Sequence, residues 1–188
     1  MIIIIVKISK FGGNTIKATG IVRRIDDLGR IVIPKEIRRT LKINCGDQIE
    51  IAVNQDGLIT LDKYSPLSDI TNICLSFMDA IKKGLNKPII IIDKEMIVTK
   101  SSDFKSINEN DKISKELEEI LEIRNDKEVE NLLITDKYIH NGFSYIKPII
   151  SYGDLLGAII ILSSEKLSNV EEGYINLLKG FLENYLIY

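Results

Sequence analysis

Residues 20–43 read GIVRRIDDLGRIVIPKEIRRTLKI. Ile21, Arg23 and Ile25 alternate with Val22 and Arg24, the pattern of a strand with one buried face. Asp26-Asp27-Leu28-Gly29 is a turn: acidic side chains accept local backbone bonds, and Gly29 tolerates positive φ. Ile31-Val32-Ile33 predicts a second short strand. Pro34 cannot continue a central strand but suits the first turn of a helix. On that helix Ile37 and Leu41 lie four apart and inward, so Arg38 and Arg39 face outward. Between Lys17 and Lys42 there are eight basic and three acidic residues, a local charge of +5 in a chain whose formal net charge is −2. A partner rich in phosphate fits such a face.

Downstream, Cys45-Gly46-Asp47 breaks the chain. Ile49, Ile51 and Val53 then alternate with Gln48, Glu50 and Ala52. Asp56-Gly57 signals a hairpin turn, and the chain returns over Leu58 to Leu61. Residues 17–64 are therefore expected to form four short strands and one short helix. Fewer than about 50 residues seldom bury enough core to stand alone. With neither metal nor disulfide as a staple, a dimer is the expected source of stability. A twofold dimer would also double the arginine face and match the pseudo-twofold of duplex DNA.

The runs Gly20-Ile21-Val22-Arg23-Arg24, Asp26-Asp27-Leu28-Gly29-Arg30, Val32-Ile33-Pro34 and Glu36-Ile37-Arg38-Arg39-Thr40-Leu41 carry a specific likeness. With them, residues 17–64 resemble the AbrB-type swapped-hairpin DNA-binding domain. The resemblance implies an intertwined β-barrel dimer with an arginine-rich surface against double-stranded DNA. By position it implies Arg23, Arg24, Arg30, Arg38 and Arg39 as DNA-binding residues. A single surface arginine is more often a solvated or ion-paired group. Five in one small domain beside three acidic residues favour DNA. Without a long recognition helix, such a barrel is expected to lean on backbone contacts and DNA deformability.

Residues 1–16, MIIIIVKISKFGGNTI, match nothing in that pattern. One reading is an extra edge strand or a frayed tail. A second is an untranslated leader. Abundant Ile, Lys and Asn suggest an AT-rich gene, in which Phe11 to Asn14 could be encoded around a ribosome-binding sequence. Ile16 would then be a non-AUG start codon. Mass spectrometry of the native protein decides it: a peptide containing Ile3 to Lys10 would sink the leader reading.

Ser65-Pro66 marks a boundary, and residues 65–188 carry 14 basic and 20 acidic residues, so a basic head precedes an acidic body. Ile70, Ile73, Cys74, Phe77 and Ile81 have helical spacing up to Gly84. Pro88 to Asp93 is a continuous apolar run, expected to be a central buried strand. Met96-Ile97-Val98 predicts another, and 100–110 reads as a loop. Ile113, Leu117, Ile120 and Leu121 mark a helix, and 128–134 is expected to end in a strand. Tyr145 to Ser151 and Leu156 to Leu162 flank a Tyr152-Gly153-Asp154 hairpin turn. Ser168-x-x-Glu171 is a capping box opening a last helix with the stripe Tyr174, Leu177, Leu178, Phe181 and Tyr185.

The fold class is thus α+β, with helices on an antiparallel sheet. Pro148-Ile149-Ile150-Ser151 and Gly157-Ala158-Ile159-Ile160 give the body a likeness to GAF domains. That resemblance implies a sensor or oligomerisation domain, whose unknown small-molecule ligand would sit against the sheet. No ligand motif is visible, and cofactor-binding residues stay unassigned. The whole chain, head and body, resembles the stage V sporulation protein T family, which implies control of sporulation genes. Apolar helix faces left over on the body are expected to bundle with symmetry mates, joining two head dimers into a homotetramer.

Other classes are excluded or ranked lower. His140, expected on a surface loop, is the single histidine, which leaves no His-based metal site, Ser–His triad or zinc finger. Cys45 and Cys74 lack C-x-x-C spacing, so a reduced cytoplasmic chain is expected. No run approaches the ~18 apolar residues of a membrane span. No cofactor, metal site or catalytic residue is assigned. An enzyme with a DNA-binding accessory head would need a phosphate loop or clustered carboxylates. An antitoxin-like DNA-binding partner of a toxin would carry a short disordered tail instead of a 124-residue folded segment.

Overall fold

The computed structural model describes residues 22–40, 43–53, 55, 59–102 and 104–186. The expectations for residues 1–16, for Leu41 and for the Asp56-Gly57 turn lie outside them. The chain divides between Tyr64 and Ser65 into two compact units.

In the first unit Asp26 to Arg30 form a tight turn: the Asp26 amide donates to the Arg30 carbonyl (3.0 Å) and the Gly29 amide to the Asp26 carbonyl (2.9 Å). Gly29 has φ +75°, the left-handed residue that closes a three-residue hairpin loop. Helix α1 spans Lys35–Thr40. Pro34 is buried at its entry, and its carbonyl takes the Arg38 amide at 2.9 Å. Strands β1 (Ile49–Val53) and β2 (Ile59–Lys63) pair antiparallel, Ile49 opposite Lys63 and Val53 opposite Ile59. The Asp47 carboxylate, 3.1 Å from Lys63 Nζ, ties the preceding turn to β2.

The two strands expected on either side of the Asp26 turn do not form: among the described residues, none precedes Ile49. The cause is missing burial. Val22, Ile25 and Val32 are 86%, 54% and 73% exposed, so a single chain provides no second layer for that hairpin to pack on.

The second unit is a five-stranded antiparallel sheet between two apolar layers. After α2 (Pro66–Asp69) and α3 (Thr71–Leu85) come β3 (Ile89–Ile92) and β4 (Ile97–Lys100), then α4 (Lys115–Glu122). β5 (Lys127–Thr135), β6 (Tyr138–Ser151), β7 (Asp154–Ser163) and α5 (Asn169–Tyr185) complete it. Strand order is β4-β3-β7-β6-β5. β3 and most of β7 are buried on both faces, which is why they read as continuous apolar runs. Ile89, Ile91, Ile159 and Ile161 join Cys74, Met78, Leu178 and Leu182 from α3 and α5. Ile90, Ile92, Ile160 and Leu162 join Leu117 and Leu121 from α4, with Ile107 of the loop before it.

Three expectations for the body change. α3 runs through Gly84 to Leu85 and is ended by left-handed Asn86 (φ 44°), whose amide bonds to the Lys82 carbonyl. His140 lies half-buried within β6, not on a loop, with Nε2 3.1 Å from the Ser163 carbonyl. The core stripe of α5 is Ile175, Leu178 and Leu182, whereas Leu177 is 59% and Tyr185 46% exposed. The apolar surface of α5 is wider than one core-facing stripe, so part of it is left over.

Candidate nucleic-acid interface

All five arginines proposed for DNA are exposed. Arg38 and Arg39 sit in the last turn of α1, where positive charge also complements the helix dipole. The Arg38 carbonyl also accepts the Ile43 amide at 2.8 Å. Arg23 makes one long contact, Nη1 to the Val22 carbonyl at 3.4 Å, and projects into solvent.

Arg30 is different because its side chain is held. One carboxylate oxygen of Asp26 accepts the amides of Leu28 (3.0 Å) and Arg30 (2.8 Å), and the other accepts Arg30 Nε at 2.7 Å. The Arg30 amide foremost, then its guanidinium, hold the Asp26 carboxyl below the ordinary carboxylate value. The Arg30 side chain nevertheless remains 71% exposed. Sequence reasoning anticipated the backbone bonds of the acidic turn but not this pair. The i, i+4 spacing of Asp26 and Arg30 is the signal that could have found it.

On the body, the surplus face of α5 meets α3 in an aromatic row. Phe77 and Phe181 stack with centroids 4.6 Å apart, and Phe181 lies 5.7 Å from Tyr185. Leu177 and Gly180 border the same shallow apolar depression. At one end of the sheet, Lys87 pairs with Glu171 beside a recess of about 490 Å³ that Phe104, Tyr138 and His140 also line. Among the described residues no group of His, Cys, Asp and Glu could hold a metal ion, and no helix is long and apolar enough to cross a membrane. Cys74 is buried, which raises its thiol to about 11, while Cys45 is exposed.

Stage V sporulation protein T of Bacillus subtilis (strain 168) is 39% identical over 171 residues, spanning 88% of this chain and 96% of that protein. The chain belongs to the stage V sporulation protein T family. The family model "Stage V sporulation protein T C-terminal, transcription factor" matches residues 69–184, within the second unit. "Antidote-toxin recognition MazE, bacterial antitoxin" matches residues 22–69, the arginine-bearing segment. The transition state regulatory protein AbrB of Bacillus subtilis (strain 168) is 56% identical over 50 residues, 27% of this family member and 51% of AbrB. Among solved structures, residues 122 to 287 of a methyl-accepting chemotaxis protein align with a TM-score of 0.47 at 11% identity, covering 63% of this chain and 85% of that one.

Proposed function

We propose that this member of the family is a DNA-binding transcription regulator of sporulation genes. Its first unit meets duplex DNA, and its second assembles or regulates the molecule. The observation that carries the reading is the exposure of five arginines, before and in the Asp26 turn and on α1, in a segment 56% identical to a transition state regulator. Arg23, Arg24, Arg30, Arg38 and Arg39 are the DNA-contacting residues. Phosphate contacts by several arginines release counterions, so log K falls by about 0.9 per neutralised phosphate for each tenfold rise in salt. Gel shifts across a salt series test this, and a flat response would remove the arginine face from the account. Genome-wide footprints with and without sporulation then give the sites.

The head works as an intertwined dimer of swapped hairpins. This is supported by the exposure of Val22, Ile25, Leu28, Val32, Ile51 and Val53, more apolar surface than a unit this small leaves uncovered. A second copy that buries them also supplies the layer that the Asp26 hairpin lacks. The body is GAF-like and joins two such dimers into a homotetramer through the Phe77, Leu177, Phe181 and Tyr185 face. The sensing mode that the GAF likeness implies is a small molecule bound against the sheet, in a cytoplasmic, nucleoid-associated protein. A second reading, an antitoxin-like partner of a toxin, is favoured by the match of residues 22–69. Affinity purification from the native host discriminates, since that reading requires a stoichiometric toxin.

A further inference from the structure

We propose that Asp26 is a positioning residue for Arg30, holding the Nε edge of its guanidinium so that only the two terminal nitrogens are presented to DNA. The inference rests on the reading of Arg30 as a DNA contact and adds how that contact is selected. Geometry carries it. A single carboxylate closes the turn through the amides of Leu28 and Arg30 and grips Arg30 Nε at 2.7 Å. No bond from the Arg30 terminal nitrogens appears among the described residues, and the side chain is mostly exposed. Those nitrogens match the O6 and N7 acceptors of a guanine edge.

Two rival roles for the pair are weaker. An exposed i, i+4 ion pair contributes little to stability. Pure turn-shaping needs only the oxygen that accepts the two amides, yet the other oxygen is spent on the guanidinium. An arginine already restrained loses less rotamer freedom on binding. The nearby carboxylate also repels phosphate, so a base edge is favoured over the backbone. Asp26 therefore sets specificity more than affinity.

The test uses the full chain and two duplexes: one selected by the wild-type protein from a random pool, and one of random sequence. Asp26→Asn keeps an oxygen for the two amides, but its NH₂ group cannot accept Arg30 Nε. The expected result is a loss of about tenfold on the selected duplex, within the range of a bidentate base contact, with binding to the random duplex equal or tighter. In an Arg30→Ala background the same change should cost no further selectivity, because that part of its effect passes through Arg30. If Arg30→Ala weakens binding while Asp26→Asn leaves selectivity intact, the positioning role is overturned and the DNA surface stands. If Arg30→Ala itself changes nothing, the DNA surface reading fails first. Tighter binding of Asp26→Asn to the selected duplex would also overturn the proposal, since Asp26 would then be withholding Arg30 from DNA.

Discussion

At the residue scale, the arginines can be removed at little structural cost. Arg30→Ala loses a mostly exposed side chain and keeps the Asp26 turn, whose backbone bonds do not involve the guanidinium. Binding should weaken by ~1–3 kcal/mol if a guanine edge is read. If only phosphate is touched, affinity should fall evenly across sequences, with the salt slope reduced by about one unit. Lys94→Ala, at an exposed position on the body, is the control and should leave binding unchanged; Arg124 would not serve, because it donates Nη1 to the Gly153 carbonyl at 2.8 Å and clips the β6–β7 turn. Titration by isothermal calorimetry separates the cases. Gly157 is the opposite kind of residue. A Cβ there would collide with the Ile92 carbonyl and sit 2.9 Å from the Asp93 Cα, backbone that cannot step aside. Gly157→Ala should therefore destabilise the body by about 1–3 kcal/mol, read as a lower urea midpoint.

At the element scale, the start of α5 is fastened by charge. Ser168 and Glu171 form a reciprocal capping box, and Lys87 pairs with Glu171 from the loop before β3. Lys87, then the Ser168 amide and hydroxyl, hold the Glu171 carboxyl down to about 2 from an ordinary 4.5. A depressed carboxyl stabilises the fold above its unfolded value, and that contribution disappears as pH falls through the folded value. Between about pH 4.5 and 2 the wild type should lose stability more steeply than Glu171→Gln. Melting temperatures by circular dichroism across that window check the sign, and parallel curves would mean that Glu171 is not coupled to folding. Asp126, between Lys147 (2.7 Å) and Lys179 (3.1 Å), joins the start of β5 to β6 and α5 by the same chemistry.

At the scale of the whole molecule, the two units present different unfinished surfaces. The head exposes branched aliphatic side chains around the Asp26 hairpin, and the body exposes the aromatic row of α3 and α5. If each is closed by a separate contact, disrupting one should leave the other. Leu177→Glu puts a charge into the body face without touching the sheet, since Leu177 is 59% exposed. Light scattering after size exclusion should show the proposed tetramer reduced to dimers that still bind DNA. Leu177→Glu tetramers would move the assembly contact elsewhere on the body.

The local chemistry of the chain is legible in its sequence. Gly29 in a left-handed turn, Pro34 at the mouth of α1, the Ser168 box and the isoleucine run of β3 each follow from properties of one residue or a short period. Where several layers compete for the same side chains, the sequence could not choose. The stripe on α5 misplaced Leu177 and Tyr185, because an apolar residue reads the same whether it faces this chain's sheet or another surface. The head strands failed in the single chain for a related reason: alternation predicts a buried face but not which chain buries it. His140 joined β6 because its pairing opposite Leu132 of β5 outweighed its turn-prone neighbours Asn141 and Gly142. The composition of residues 17–42 by itself determined a local charge of +5, with arginines before, in and after the Asp26 turn. Only the tertiary structure decided that Ile175, Leu178 and Leu182 of α5 face the sheet while Leu177 and Tyr185 stay exposed, because which side of an apolar helix is covered depends on where the packed layers place it.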